Sequence, residues 1–419
     1  MENDVLSIRL WKQEVGRIYW DAHLHRAVFA YNESFRRGNI DIAPLSASIY
    51  SVAAQKPILG STEKLYQGLP PFLADSLPDR WGNIVFDSWR TNNHLRAKDI
   101  TPVDKLAFIG SRGMGALEYE PAFPPLEQQA EPLPLTDLYR LSRRIFEQRA
   151  EVSIMPEESL TLQSLYAVGT SAGGQHPKAL IAIHRTTGEV RSGQVDWGVD
   201  YDYYILKFAE HGAFPTTQVE MAYYLMAKEI GIEMMPSRLI EVDGDMHFLT
   251  QRFDRQQGKR VHIQTLAAMS ETAISYEDLF SVARRLGISQ NEQQQLFLLM
   301  AMNILGGNVD DHTKNFSFMM SENGQWYITP AYDVTFTVDL DGPFYLNRHE
   351  LSVCGKTSNI TSTDLLTFAQ ENSIKDASSL LSKVQKVLSN FSHYAVQTAV
   401  PALWIDRINK YIDKSSVEN

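Results

Sequence analysis

Cysteine is almost missing from this chain: Cys354 stands alone among 419 residues, so no disulfide can close within it. No Cys/His cluster with zinc spacing occurs either, which excludes a structural zinc cage and makes a reducing cytoplasm the natural compartment. Long apolar runs are also lacking, since none approaches the ~20 residues that a membrane-spanning helix needs. The first residues, MENDVLSIRLWK, carry acids ahead of any apolar stretch, so neither export nor membrane insertion is expected. Positive charge is scarce: 39 Lys and Arg face 50 Asp and Glu, for a net charge of −11. That balance argues against broad affinity for nucleic acid and makes any DNA contact depend on a partner. Internal repeats are absent, which excludes a solenoid. What remains is an ordinary globular composition, 44% hydrophobic and 21% charged, in a chain long enough for two or three domains.

The first third reads as short strands, because VLSIRL, EVGRIYWD and RAVFAY mix β-branched, aromatic and alternating polar residues. The helical PDRWGNIVFDSWRTNN and the glycine-punctuated LAFIGSRGMGALEYEP follow, and then PAFPPLEQQAEPLPL, whose prolines break both periods. A domain boundary is expected near residues 121 to 135. Between 160 and 255, the strand-like ALIAIH, YYILKF and SRLIEVDGDMHFLTQRF surround one clear helix, TTQVEMAYYLMAKEIGI. Val219, Tyr223, Met226 and Ile230 fall on one face of it, and Gly231 provides its stop. After about residue 275 the pattern turns helical.

The densest chemistry lies in NVDDHTKNFSF, residues 308–318, just after the apolar run LFLLMAMNILGG. Phosphoryl transfer needs a carboxylate to orient the attacking hydroxyl, hard oxygen ligands for Mg²⁺ and a strand lysine for the phosphates. Asp310 and Asn315 have the separation of the catalytic-loop Asp and Asn of protein kinases, and Asp333, in ITPAYDVT, follows a short strand as a metal-binding aspartate would. Upstream, Lys207 ends the apolar YYILKF and Glu220 lies on the next helix as an ion-pair candidate. GTSAGGQHPKA precedes a strand and exposes backbone amides that suit phosphate.

Each element also has a plain reading. Thr217 and Glu220 form a T-x-x-E capping box; Lys207 could be an edge residue facing solvent; Asp310, Asp311 and Asn315 could serve turns and caps. A metal hydrolase would use Asp310, Asp311, His312 and His349, but no helical histidine pair supports it. The ordered series of lysine strand, acidic helix, D-x-x-x-x-N and strand-terminal Asp favours the phosphotransferase.

These residues resemble the HipA-like serine/threonine kinases, toxins of bacterial type II toxin–antitoxin systems. The likeness runs through PPFLADSLPDRW, LAFIGSRGMGALEYEP, GTSAGGQHPKALIAI, YYILKF, LTQRFDR, NVDDHTKNFSF, PAYDV and HELSVCGK. It implies an α+β, bilobal protein-kinase-like fold with a β-rich N-lobe, a helical C-lobe and an extra N-terminal β-rich subdomain. The corresponding divisions are residues 1–135, 136–255 and 256–419. It further implies ATP and Mg²⁺ as cofactors and transfer to serine or threonine of a protein, such as an aminoacyl-tRNA synthetase. A helix-turn-helix antitoxin of HipB type is the implied partner, with DNA reached only through it.

Carried over residue by residue, the resemblance makes Asp310 the catalytic base and Asn315 and Asp333 the metal ligands. Ala172, Gly173, Gly174, Gln175, His176 and Pro177 would form the phosphate loop and Lys207 would meet the α- and β-phosphates. Gln251, Arg252 and Phe253 would border adenine through the backbone, with His312, Lys314 and Tyr332 lining the nucleotide site. Thr170 or Ser171 would be the site of a silencing autophosphorylation. The chain departs from the best-known members in having TSAGG and QHPK in that loop; it also lacks the lysine that ordinary protein kinases place two residues after the base, having His312 there. Two other readings remain open: a small-molecule phosphotransferase, which shares the same Asp, Asn and metal Asp, and a non-catalytic partner of a DNA-binding regulator.

Overall fold

The computed structural model describes residues 5–123, 135–148, 176–210 and 214–417, together with Leu133, Leu165 and Gly212. Alternation builds its first layer. In Leu6–Leu10 the side chains of Leu6, Ile8 and Leu10 are buried while Ser7 and Arg9 face outward, the signature of a strand with one wet face. That strand joins an antiparallel sheet in the order Ile58–Leu59, Arg26–Tyr31, Gln13–Asp21, Leu6–Leu10, Leu117–Glu120.

A second antiparallel sheet has the order Val190–Ser192, Lys178–His184, Tyr201–Lys207, Asp245–Gln251, Ser237–Val242. Helix Thr216–Ile230 lies beside it and buries Val219, Tyr223, Met226 and Ile230, as their spacing requires, in the core shared with the C-terminal helices, where Tyr223 meets Phe391. It stops at Gly231, whose φ of 88° only glycine adopts without strain. Helices Arg80–Asn92 and Leu135–Gln148 close the same lobe through a core that includes Trp81, Phe86, Leu138, Ile181, Leu206 and Leu249.

The remaining residues are mainly helical, with Tyr276–Arg285, Gln290–Gly306, Ser362–Glu371, Ala377–Leu388, Phe391–Gln397 and Ala402–Val417. A small sheet interrupts them, in which His262–Thr265 pairs with Ser317–Met320 and the latter with Trp326–Ile328. This pairing joins residues more than fifty positions apart, which local periodicity does not reveal. A single large core runs from Leu6 and Phe29 of the first sheet through Phe72 to Leu299, Phe391 and Ile412.

Buried charge fastens the first sheet to the segment that follows strand Asp245–Gln251. Arg252 donates two 2.8 Å bonds to the fully buried Asp254, which also accepts the amide of Gly115 at 2.7 Å and pairs with Arg255. Arg255 in turn donates to the carbonyls of Gly113 and Gly115, each at 3.0 Å. Burial opposes the ionised form of Asp254, yet Arg252 and Arg255 hold its carboxyl well below the usual range. Among the described residues no helix is long and apolar enough to cross a membrane.

Candidate active site

Helix Gln290–Gly306 is buried along its last eleven residues, so the chain leaves it inside the protein and the backbone groups of the next turn need internal partners. Gly307 begins that turn at φ 74°; a β-carbon there would sit 2.7 Å from Tyr411 and 2.9 Å from Phe336. The Thr337 hydroxyl accepts the amides of Val309 at 2.7 Å and Asp310 at 3.1 Å. Asn308 bonds Asn303 at 3.0 Å and the Asp333 carbonyl at 3.3 Å, and Asn315 Nδ2 donates to the Asp310 carbonyl at 2.7 Å. Loop 308–316 is thereby tied to the segment that carries Asp333. Burial lifts the Asp310 carboxyl above its ordinary range; His312 and His176 work against the rise and Asp333 adds to it.

Asp311 has a different task. Its fully buried carboxylate accepts Tyr276 Oη at 2.7 Å, His349 Nδ1 at 2.9 Å and the Glu350 amide at 2.9 Å. Asp311 and His349 thus bond each other within the protein, an arrangement unlike the ligand pair of a metal hydrolase.

Lys207 ends a central strand, flanked by Lys178–His184 and Asp245–Gln251, so it is not an edge residue. Its ammonium donates to Glu220 Oε1 at 2.5 Å and to Asp333 Oδ1. Burial would lower its pKa, but the two carboxylates outweigh that and raise it. The capping box is not formed: Pro215 precedes the helix, and the Thr217 hydroxyl donates instead to the Met246 carbonyl at 2.7 Å. Of the two readings of Glu220, the geometry realises the ion pair. Asp333 adopts a left-handed φ of 52°, and Lys207 and Lys178 hold its carboxyl below the usual range although burial opposes this.

Lys178 was not among the residues singled out from sequence. It lies directly opposite Lys207 in the sheet, is buried, and its carbonyl accepts Trp81 Nε1 at 2.9 Å. Burial lowers its pKa, while Asp333 and Glu220 oppose that effect. The available signal was a lysine opening the otherwise apolar strand KALIAIH straight after the glycine loop.

The other predicted residues divide. Phe253 and Tyr332 stack obliquely with centroids 5.9 Å apart, and Tyr332 Oη donates to the Lys314 carbonyl at 2.8 Å. The Gln251 amide donates to the Pro236 carbonyl at 3.0 Å and that of Arg252 to Tyr203 at 2.8 Å. The guanidinium of Arg252 is turned into the interior, so only its backbone can border the cleft. His176 is exposed and pairs with Glu210, while the Pro177 carbonyl accepts the Phe208 amide at 3.0 Å. His312 Nδ1 is buried with no hydrogen-bond partner among the described residues, and Lys314 pairs with Asp79. Thr170, Ser171, Ala172, Gly173, Gly174 and Gln175 lie outside the described residues.

Comparison with known proteins agrees along the chain. Residues 170–398 match the HipA-like C-terminal domain and residues 6–120 the HipA N-terminal domain. A Sinorhizobium fredii protein carrying a kinase designation, Y4mE, is 26% identical over 352 residues, 77% of this chain and 75% of that one. A Haemophilus influenzae protein, also designated a kinase, is 25% identical over 203 residues; the match spans 44% of this chain and 57% of that relative's length. The solved complex of HipA, HipB and operator DNA from Shewanella oneidensis MR-1 superposes with a TM-score of 0.66 at 16% identity, covering 99% of this chain and 96% of the solved one. That likeness shows a shared fold. The chain belongs to the HipA family and has its mixed α/β, kinase-like architecture.

Proposed function

We propose that this protein is an ATP- and Mg²⁺-dependent serine/threonine protein kinase, the toxin of a bacterial toxin–antitoxin pair. The observation that carries this is Lys207 held between Glu220 and Asp333 while Asp310 stands on a loop fixed by Asn315 and Thr337. Lys207 and the neighbouring Lys178 offer positive charge to the α- and β-phosphates. Asp310 accepts the proton of the acceptor hydroxyl as that oxygen bonds the γ-phosphorus, and the broken bond's electron pair leaves on the β-phosphate oxygen of ADP.

Among the described residues no group of three or more His, Cys, Asp or Glu could hold a cation by itself. Asp333 and Asn315 fit one that takes its other ligands from phosphate and water, which is how Mg²⁺ binds with nucleotides. The ion would neutralise charge on the phosphates.

The cytoplasm is the proposed compartment, with residues 1–135, 136–255 and 256–419 as subdomain, N-lobe and C-lobe. The neighbour solved with HipB and operator DNA supports a helix-turn-helix antitoxin as partner. A translation-related protein is the proposed acceptor. Phosphate on Ser171 or Thr170 would add about −1.5 to −2 charges beside bound ATP and expel the loop. Comparing proteome-wide phosphorylation for the wild type and Asp310→Ala tests the activity; identical patterns refute it. Peptide mass spectrometry after incubation with ATP and Mg²⁺ tests the switch, and phosphate found only outside residues 170–171 refutes that part.

A further inference from the structure

Asp79 occupies the N-cap position of helix Arg80–Asn92, where an aspartate ordinarily accepts a backbone amide of the first turn. Here its carboxylate makes no capping hydrogen bond and reaches instead to Lys314 Nζ, on the loop that carries Asp310. Both side chains are about a quarter exposed, so the pair is partly shielded from solvent. Two residues on, Trp81 Nε1 donates to the carbonyl of Lys178 in the other lobe. One short segment therefore touches both Lys314 and the backbone of Lys178, two lysines that the kinase reading places near the phosphates. It is anchored on both sides: Asp75 accepts the amide and hydroxyl of Thr265, each at 2.7 Å, and Asn83 Nδ2 bonds the Asp79 carbonyl at 3.0 Å.

Building on the kinase reading above, we propose that Asp79 is a positioning residue that aims Lys314. The carbonyl of Lys314 is held by Tyr332 and its neighbour Asn315 holds the carbonyl of Asp310, contacts that leave the direction of the Lys314 side chain free. Asp79 removes that freedom. The segment Asp79–Trp81 is then a working wall of the active site, although it lies far upstream of the lobes in sequence.

The test is a double-mutant cycle between Asp79→Asn and Lys314→Met, read as kcat for phosphate transfer. Asp79 makes no capping hydrogen bond, so the change to asparagine removes the ion pair without removing a cap. Asp79→Asn should lower kcat about 10-fold, Asp79→Glu should recover most of it, and Asp79→Asn should change kcat less than twofold when Lys314 is already methionine. A merely structural role would give the same loss in both backgrounds and overturns the proposal, as does an unchanged kcat. Amide exchange at Asn315, whose N–H bonds the His312 carbonyl at 2.9 Å, should quicken several-fold in Asp79→Asn. Absence of transfer by the wild type would overturn the kinase reading alone; the exchange result then decides the role of Asp79, and unchanged exchange overturns it.

Discussion

Replacing Glu220 by glutamine separates two roles that the sequence allows for this residue. Glutamine serves a capping box as well as glutamate, so a residue that only starts a helix would tolerate the change at almost no cost. The structure places Glu220 Oε1 2.5 Å from Lys207 Nζ, with the two side chains 12% and 15% exposed. A hydrogen bond to a charged group is worth about 1.5–3 kcal/mol, and Lys207 keeps its second partner, Asp333, so the loss should fall near the middle of that range, about 2 kcal/mol. Thermal unfolding of the nucleotide-free protein measures it. Catalysis should suffer more, because a lysine displaced by about 1 Å can cost on the order of 10²-fold in rate. Radiolabel transfer from ATP to an acceptor or to the protein itself reads that term. Stability within about 0.5 kcal/mol of wild type together with an undiminished rate would refute the ion pair as the role of Glu220.

Three further outcomes are expected. Asp310→Asn should retain ATP binding by calorimetry while transfer falls about 10²-fold or more, since its loop is held by backbone contacts that the change does not touch. Asp333→Ala should abolish the effect of Mg²⁺ on binding of a non-hydrolysable ATP analogue, with a normal circular dichroism spectrum because Lys207 retains Glu220. His262 is fully buried and its pKa is pushed down to about 4 by that burial, so the unfolded chain takes up a proton near pH 6.5 that the folded one refuses. Stability should therefore fall as pH drops from about 6.5 to about 4, by up to roughly 3 kcal/mol, and His262→Leu should flatten that limb in denaturant titrations at the two pH values.

What could be read from sequence was what depends on neighbours along the chain. Leu6, Ile8 and Leu10 alternate and form a strand; Val219, Tyr223, Met226 and Ile230 recur and bury one helix face; Gly231 ends it. The kinase-like fold was implied by the resemblance that the motifs carry. Partners distant in sequence were hidden. Lys178 lies beside Lys207 because antiparallel pairing sets the two opposite, and of the two readings of Glu220 the T-x-x-E cap is not formed because Thr217 found the Met246 carbonyl. The inward turn of Arg252 depends on Asp254 and Gly193, and nothing local links Lys314 to Asp79 across 235 positions.

The packing of Gly307 bears on when the protein becomes able to act. The turn that presents Asp310 has no room for a side chain because Tyr411 and Phe336 press against it, and those two rings meet edge to face 5.4 Å apart. Tyr411 belongs to helix Ala402–Val417, made about a hundred residues after loop 308–316. During synthesis the loop therefore emerges without the ring that backs it, and its geometry is completed only when residue 411 has left the ribosome. On the kinase reading proposed above, a nascent chain still attached there would already carry Lys178 and Lys207 and yet lack the backing that holds the turn before Asp310.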